Sequence, residues 1–409
     1  MRNSLRAADE ISHFVRNDTS LSRDFAVAIR CLDFEKPGFG KTANSLDKPE
    51  RAVYYNSTFI SVKPHAKPPS FRNGFLRDGV GADTSPTFHM MRYGNIPQLE
   101  KPLSRLAQGI VTASAETAEQ DFRMFDAVLE MGGTVFDTAH VYGQGESERT
   151  LGKWIHERGV RERVVIITKG AHPNKDGIPR VTPQDITQDL FESLERLCVE
   201  TIDLYLLHRD DPRVPVDEIV DVLNEHQRAG RIRVFGGSNW SHTRIQQANA
   251  YAAARGLAPF GITSPNFSLA VQVEPPWDGC HSIGGEQGRA AREWYAATQL
   301  PIFAWSSLAG GFFSGRFRRD NLETFTDYFD ALCVKSYCVE ENFARLDRAQ
   351  ALAQAKQVSL AQIALAYVLH QPLNIFALVG CRTPDEFRAN VEACSVMLSA
   401  VELDWLETG

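Results

Sequence analysis

The chain lacks the cysteine spacing that would staple or metallate a small fold. Its seven cysteines, Cys31, Cys198, Cys280, Cys333, Cys338, Cys381 and Cys394, are scattered over 409 residues and form no CxxC pair. A zinc ribbon or disulfide framework is therefore not expected, and a reducing compartment fits better. No apolar run approaches the roughly 20 residues of a membrane span. The stretch Met1 to Ser20 is charged and has no apolar core of a secretory leader, so a cytoplasmic protein is expected. There is no excess of positive charge either. The count is 44 Lys+Arg against 51 Asp+Glu, a formal −7, which argues against a chain built to bind nucleic acid. No complete GxGxxG follows a strand-like run; Gly143-Gln144-Gly145 lacks the third glycine.

What is present divides in two. Residues 1–95 hold 14 Lys+Arg against 10 Asp+Glu, and the remainder 30 against 41. Lys63 to Gly81 is rich in proline, glycine and basic residues and has no sustained period, as in a linker. Short apolar patches at 5–16 and 24–34 suggest at most a helix and a strand. Residues 1–95 are therefore expected to be an N-terminal extension, either linker-like or a small accessory lobe. Residues 96–409 form the second unit.

Here short Val/Ile/Leu runs alternate with amphipathic stretches. The strand-like runs are Leu106–Val111, Thr134–Phe136, Val164–Ile167, Ile202–Leu207, Ile232–Phe235, Phe260–Thr263, Pro301–Ala304 and Ile375–Val379. Between them lie helical patterns such as Ala118–Glu130, Pro183–Cys198, Val216–Ala229, Thr243–Arg255 and Leu360–His370. Thr182-Pro183, Ser359 and Thr383-Pro384 are helix starts, and Gly230 and Gly256 are stops. The strand runs are mostly apolar rather than alternating, as in strands covered on both faces. Eight such units in about 300 residues predict an α/β fold of the (β/α)8 TIM-barrel kind, with a doubly wound sheet as the alternative.

In such a barrel the residues just after the strands gather at one open face. The second, third and fourth strands end in Phe136-Asp137-Thr138-Ala139-His140-Val141-Tyr142, in Thr168-Lys169-Gly170 and in Leu207-His208-Arg209. Asp137, Tyr142, Lys169 and His208 are thus expected to converge. The types fit one another. A phenol is a poor acid at neutral pH, with a pKa near 10, unless a neighbouring ammonium stabilises its anion. Asp137 would hold Lys169 charged, Lys169 would lower the Tyr142 pKa, and His208 would orient a carbonyl oxygen. The set suits protonation of a carbonyl oxygen while hydride reaches carbon, and the hydride must come from a cofactor. His208-Arg209-Asp210-Asp211 mimics a ligand cluster, but no metal is expected, because the set already accounts for His208.

The runs FDTAHVYGQGESERTLGKWI, ITKG, LYLLHRDDP, GGSNW and LVGCRTPDEFRAN, in this order, resemble the aldo-keto reductase superfamily over about residues 103–409. The resemblance implies a barrel that reduces aldehydes or ketones with a nicotinamide cofactor, usually NADPH, and with the four residues above as its tetrad. It places Ser238 and Asn239 at the nicotinamide carboxamide, with Ser264 where the family often has Gln. It places Trp305 against the nicotinamide face. It assigns Ser306, Leu308, Gly310, Gly311 and Arg316 to the pyrophosphate, and Gly380, Arg382, Thr383, Glu386 and Asn390 to the adenosine phosphate. Glu386 would repel a 2′-phosphate and Arg382 would attract it, so NADPH is expected with NADH possible.

The expected partner is a small-molecule carbonyl substrate. Val273–Gly288 and the stretch from Phe317 to Cys338 are expected to shape specificity, with Trp240 and Trp277 as pocket walls and His140 beside the tetrad. Two other readings stand. One is a cofactor-sensing binding subunit of a larger assembly, like an ion channel partner, with little turnover. The other is a cofactor-free isomerase or aldolase.

Overall fold

The computed structural model describes residues 91–409. The patches at 5–16 and 24–34 and the linker-like Lys63 to Gly81 lie outside the described residues. Eight parallel strands close into a barrel: β1 Leu106–Gly109, β2 Val135–Asp137, β3 Val165–Gly170, β4 Ile202–Leu207, β5 Ile232–Ser238, β6 Ile262–Ser264, β7 Ile302–Ala304 and β8 Ile375–Val379. They follow one another around the ring, and β8 pairs with both β1 and β7. All eight expected strands are present.

The apolar runs are long because each strand is buried twice. One set of side chains points into the barrel: Ala107, Val135, Val165, Ile167, Leu204, Leu206, Val234, Ile262, Phe303, Phe376 and Leu378. Phe303 and Phe376 stack there, with centroids 4.7 Å apart. A short antiparallel pairing of Tyr93–Gly94 with Leu103–Ser104 precedes β1. It brings Ile96, Leu99 and Leu103 into the same cluster and plugs the end where the strands begin. The alternate side chains pack outward against the helices. Each fully buried Val, Leu, Ile or Phe contributes roughly 1.5–3 kcal/mol.

The outer helices are α1 Ala118–Glu130, α2 Glu146–Arg158, α3 Pro183–Leu197, α4 Val216–Arg228, α5 His242–Arg255, α6 Arg289–Thr298, α7 Tyr328–Tyr337, α8 Glu340–Lys356, α9 Leu360–Leu369, α10 Pro384–Ala393 and α11 Ala400–Thr408. The start signals act as read. Thr182 and Thr383 accept from the backbone N–H three residues on, and Ser359 forms a capping box with Gln362. Gly256 ends α5 in a left-handed conformation.

One glycine is dictated by strand approach. A Cβ on Gly236 would lie 1.9 Å from the Ile262 carbonyl oxygen of the neighbouring strand. Only glycine lets β5 and β6 pair there, and that pairing sets the height of Ser238.

Candidate active site

The chain after β2 keeps pairing with β3 beyond the strand end: Thr138 N–H donates to Ile167 O and His140 N–H to Lys169 O. Tyr142 then opens a tight turn in which Gly143 and Gln144 take positive φ. This returns the phenol over Lys169. The Lys169 Nζ lies 2.7 Å from Asp137 Oδ1 and 2.9 Å from Oδ2, and it donates to Thr138 O at 2.8 Å. The same ammonium stands 5.0 Å from the Tyr142 ring centroid, and the His208 ring is edge-on to that ring at 5.7 Å. Asp137 and Lys169 are 6% and 3% exposed. The four residues thus converge.

The electrostatics refine one expectation. Burial pushes the Tyr142 hydroxyl up, and the downward pull of Lys169 does not overcome it. The phenol is therefore held protonated, a proton donor rather than a resting phenolate. Burial pulls Lys169 down, Asp137 is the strongest pull opposing it, and on balance the ammonium is held above its ordinary value. Burial first, then Lys169, Arg209 and His172, keep His208 well below its usual range, so the imidazole is neutral. Its Nδ1 is buried and has no hydrogen-bond partner among the described residues.

The expected cofactor residues fall around the same end of the barrel. Asn239 is the tie of this half. It adopts φ +60°, its Nδ2 donates to His208 O and Ser238 Oγ, and its Oδ1 accepts from His281 N–H and from Trp305 Nε1, each at 3.1 Å. Ser238 Oγ donates to Ser264 O, and Ser264 Oγ to Phe303 O. So Ser238, Asn239, Ser264 and Trp305 are brought together with His208. Ser306, Ala309, Gly310 and Gly311 then all take positive φ, which coils the segment around half-buried Leu308 and suits close approach of an anion to backbone.

The remaining expected residues are placed differently. Arg316 makes a bidentate pair with Asp330 at 2.7 and 3.0 Å, half-exposed. Glu386 turns its carboxylate back to accept from Arg382 N–H at 2.7 Å, and its own N–H donates to Thr383 Oγ1. The anion position at the start of α10 is thus filled from within the chain. Asn390 is buried and donates to Cys381 Sγ at 3.0 Å, bracing the loop from behind. Gly380 borders open space: a Cβ there would meet nothing within 4 Å.

Trp240 is not a pocket wall. It is fully buried against Phe260 and donates to Arg209 O. Trp277 is 41% exposed and donates to Tyr328 OH at 2.7 Å, joining the segment after β6 to α7. His140 points away, bonded to Glu192 at 2.8 Å. His172 was not expected in the site, yet its ring lies 4.9 Å from His208; its position three residues after Lys169 was the available signal. Among the described residues no cluster of three metal-ligating side chains occurs, and no helix is long and apolar enough to cross a membrane.

The model of the aldo/keto reductase family matches residues 106–408. The chain belongs to the aldo/keto reductase family. An uncharacterized oxidoreductase of Bacillus subtilis, YrpG, is 30% identical over 322 residues, which is 75% of this chain and 92% of that protein. Norsolorinic acid reductase of Aspergillus flavus is 27% identical over 296 residues, 69% of each. The fold is shared with the crystal structure of an aldo-keto reductase from Klebsiella pneumoniae in complex with NADPH. That chain is 24% identical, with a TM-score of 0.56, over 75% of this chain and 90% of the other. Family and barrel therefore agree with the resemblance read in the sequence.

Proposed function

We propose that the chain reduces an aldehyde or ketone to the alcohol, with NADPH as the preferred cofactor and Tyr142 as the proton donor. The observation that carries this reading is the Asp137–Lys169–Tyr142–His208 cluster at the ends of three consecutive strands. The residues present fit a dinucleotide on two counts. The left-handed run from Ser306 to Gly311 and the open space at Gly380 leave backbone accessible at the ends of β7 and β8, which are neighbours in the ring. A nicotinamide would rest on Trp305 beside Ser238 and Asn239. The Klebsiella pneumoniae reductase was crystallised with NADPH, which supports the same cofactor here.

When bound, the reduced nicotinamide supplies the hydride. The chain's own residues do the rest. Tyr142 holds a proton at neutral pH, as an ordinary phenol does, and burial keeps the hydroxyl above that ordinary value despite the opposing pull of Lys169. As negative charge grows on the carbonyl oxygen, Tyr142 delivers that proton, and Lys169 stabilises the phenolate left behind. Asp137 keeps Lys169 charged and fixed. Neutral His208 orients the carbonyl oxygen without placing a second full charge beside Lys169. The intact tetrad favours turnover over a role as a silent cofactor sensor.

The test is Tyr142→Phe. NADPH binding, read by fluorescence titration, should stay within a few-fold, while carbonyl reduction falls by about 100-fold or more. Wild-type turnover in the variant would refute Tyr142 as the donor, and absence of NADPH and NADH binding to the parent would refute the reductase reading.

A further inference from the structure

Three charged residues follow His208, and they are not treated alike. Asp210 pairs with Arg244 at 3.1 Å and Asp211 with Arg213 at 2.8 Å. Arg209 is 6% exposed and has no carboxylate oxygen within 4.0 Å among the described residues. Its Nη1 donates to His208 O at 2.8 Å, its Nε to Asp278 O at 3.1 Å and its Nη2 to Cys280 Sγ at 3.4 Å. A guanidinium has five N–H groups, so two have no acceptor among the described residues. The three acceptors it does have are uncharged. They fix its direction and leave its charge uncompensated.

Of the carboxylates nearby, Asp210 and Asp211 are paired with other arginines, and Asp278 is exposed and reaches Arg209 through its backbone carbonyl, with no carboxylate oxygen within 4.0 Å. Lys169 and Asp137 cancel each other. His172 and His208 are both held below their ordinary values, hence neutral. These groups and Arg209 together carry one net positive charge; burial raises both Tyr142 and Cys280, and Arg209 is near enough to each to oppose that push without overcoming it. A buried charge with no counter-charge is costly to keep. Cofactor phosphates are not placed to offset it. Arg209 follows β4, whereas Gly310, Gly311 and Gly380 follow β7 and β8, and β4 lies four strands from β8 in the closed ring. The neighbours of Arg209 are instead the catalytic His208 and the segment Asp278–Cys280, which Trp277 fastens to α7.

We propose that Arg209 is a specificity-determining residue that binds a carboxylate carried by the carbonyl substrate, so that small carbonyl acids are preferred over their neutral analogues. This rests on the reductase reading above. A charge-assisted pair of hydrogen bonds to the two free N–H groups gives the preference its expected size, about 10- to 100-fold.

The probes are 3- and 4-carboxybenzaldehyde and their methyl esters, assayed with NADPH. For wild type the ratio of kcat/KM, acid over ester, should be about 10–100, expressed mainly in KM. Arg209→Gln keeps a donor for Asp278 O but removes the charge, and its ratio should collapse toward one. Arg209→Lys should retain part of it. A wild-type ratio near one for both isomers, or a ratio that survives Arg209→Gln, would overturn the proposal. Calorimetric titration with benzoate needs no turnover. Tighter benzoate binding to wild type than to Arg209→Gln supports the assignment, and no benzoate binding to wild type overturns it. Turnover of none of the four carbonyls would count against the reductase reading, while the benzoate titration would still decide the role of Arg209.

Discussion

Replacing Asp137 by Asn removes one charge and changes almost no volume. If Lys169 and Asp137 were at the surface, the cost would be about 0–1 kcal/mol. They are 3% and 6% exposed with oxygens at 2.7 and 2.9 Å from the ammonium, so the relevant case is a buried pair broken on one side, at about 3–5 kcal/mol. Lys169→Met should cost a similar amount, because it strands the carboxylate. The double variant leaves no lone charge. It should therefore be more stable than the sum of the singles allows, by at least about 2 kcal/mol. Urea unfolding of all four proteins measures this directly. A kinetic readout accompanies it. Burial pulls Lys169 down and Asp137 is the largest force opposing it. In wild type, carbonyl reduction should then hold level to about pH 10, the ordinary range of Tyr and Lys, and decline only above it. In Asp137→Asn the alkaline decline should begin at lower pH. Single-variant losses below about 1 kcal/mol, additive energies, or an unmoved alkaline limb would refute the picture of an ammonium kept charged by Asp137.

His208 is neutral in the folded protein and takes up a proton only on unfolding, so stability contributed in this way is present above about pH 6.5 and is lost as pH falls below it. From pH 7 to 5.5, wild type should lose about 1 kcal/mol more than His208→Gln in urea unfolding; parallel losses would show that the imidazole is not held neutral. Gly236→Ala places a Cβ against the Ile262 carbonyl oxygen, and should cost more than about 2 kcal/mol or abolish soluble expression, with wild-type stability as the refuting result. Glu386→Gln removes a carboxylate from the start of α10. Fluorescence titration should show the ratio of NADPH to NADH affinity rising roughly twofold to fivefold, and an unchanged ratio would place the adenosine end elsewhere.

The eight strands were legible because burial on both faces forces apolar runs, which Ile375–Val379 displays from end to end and Ile202–Leu207 interrupts only at buried Asp203. The convergence of Asp137, Lys169 and His208 was legible for a related reason. Once strand ends are located, Asp137, Lys169 and His208 each fall within one residue of them, and a parallel barrel must bring its strand ends to one rim. Caps such as Thr182 and Ser359 were legible because they act over three residues.

What escaped reading acts across the chain. The direction of the Tyr142 shift depends on how deeply its hydroxyl is buried, and a sequence gives the neighbouring ammonium but not the depth. Trp240 looked like a wall beside Asn239, and only the crossing of β5 with the chain before β6 turned it inward onto Phe260. Arg209 shows the division best. Its place after His208 and its positive charge are fixed by the sequence, as are Asp210 and Asp211 beside it. Which arginine those aspartates neutralise is decided by α5, which delivers Arg244, and by the local turn at Arg213. Arg209 is then left facing a carbonyl and a thiol about 70 residues further along the chain. Local order follows from side-chain type and spacing over a few residues. The balance of buried charge depends on which distant groups the closed barrel brings within a few ångströms of one another.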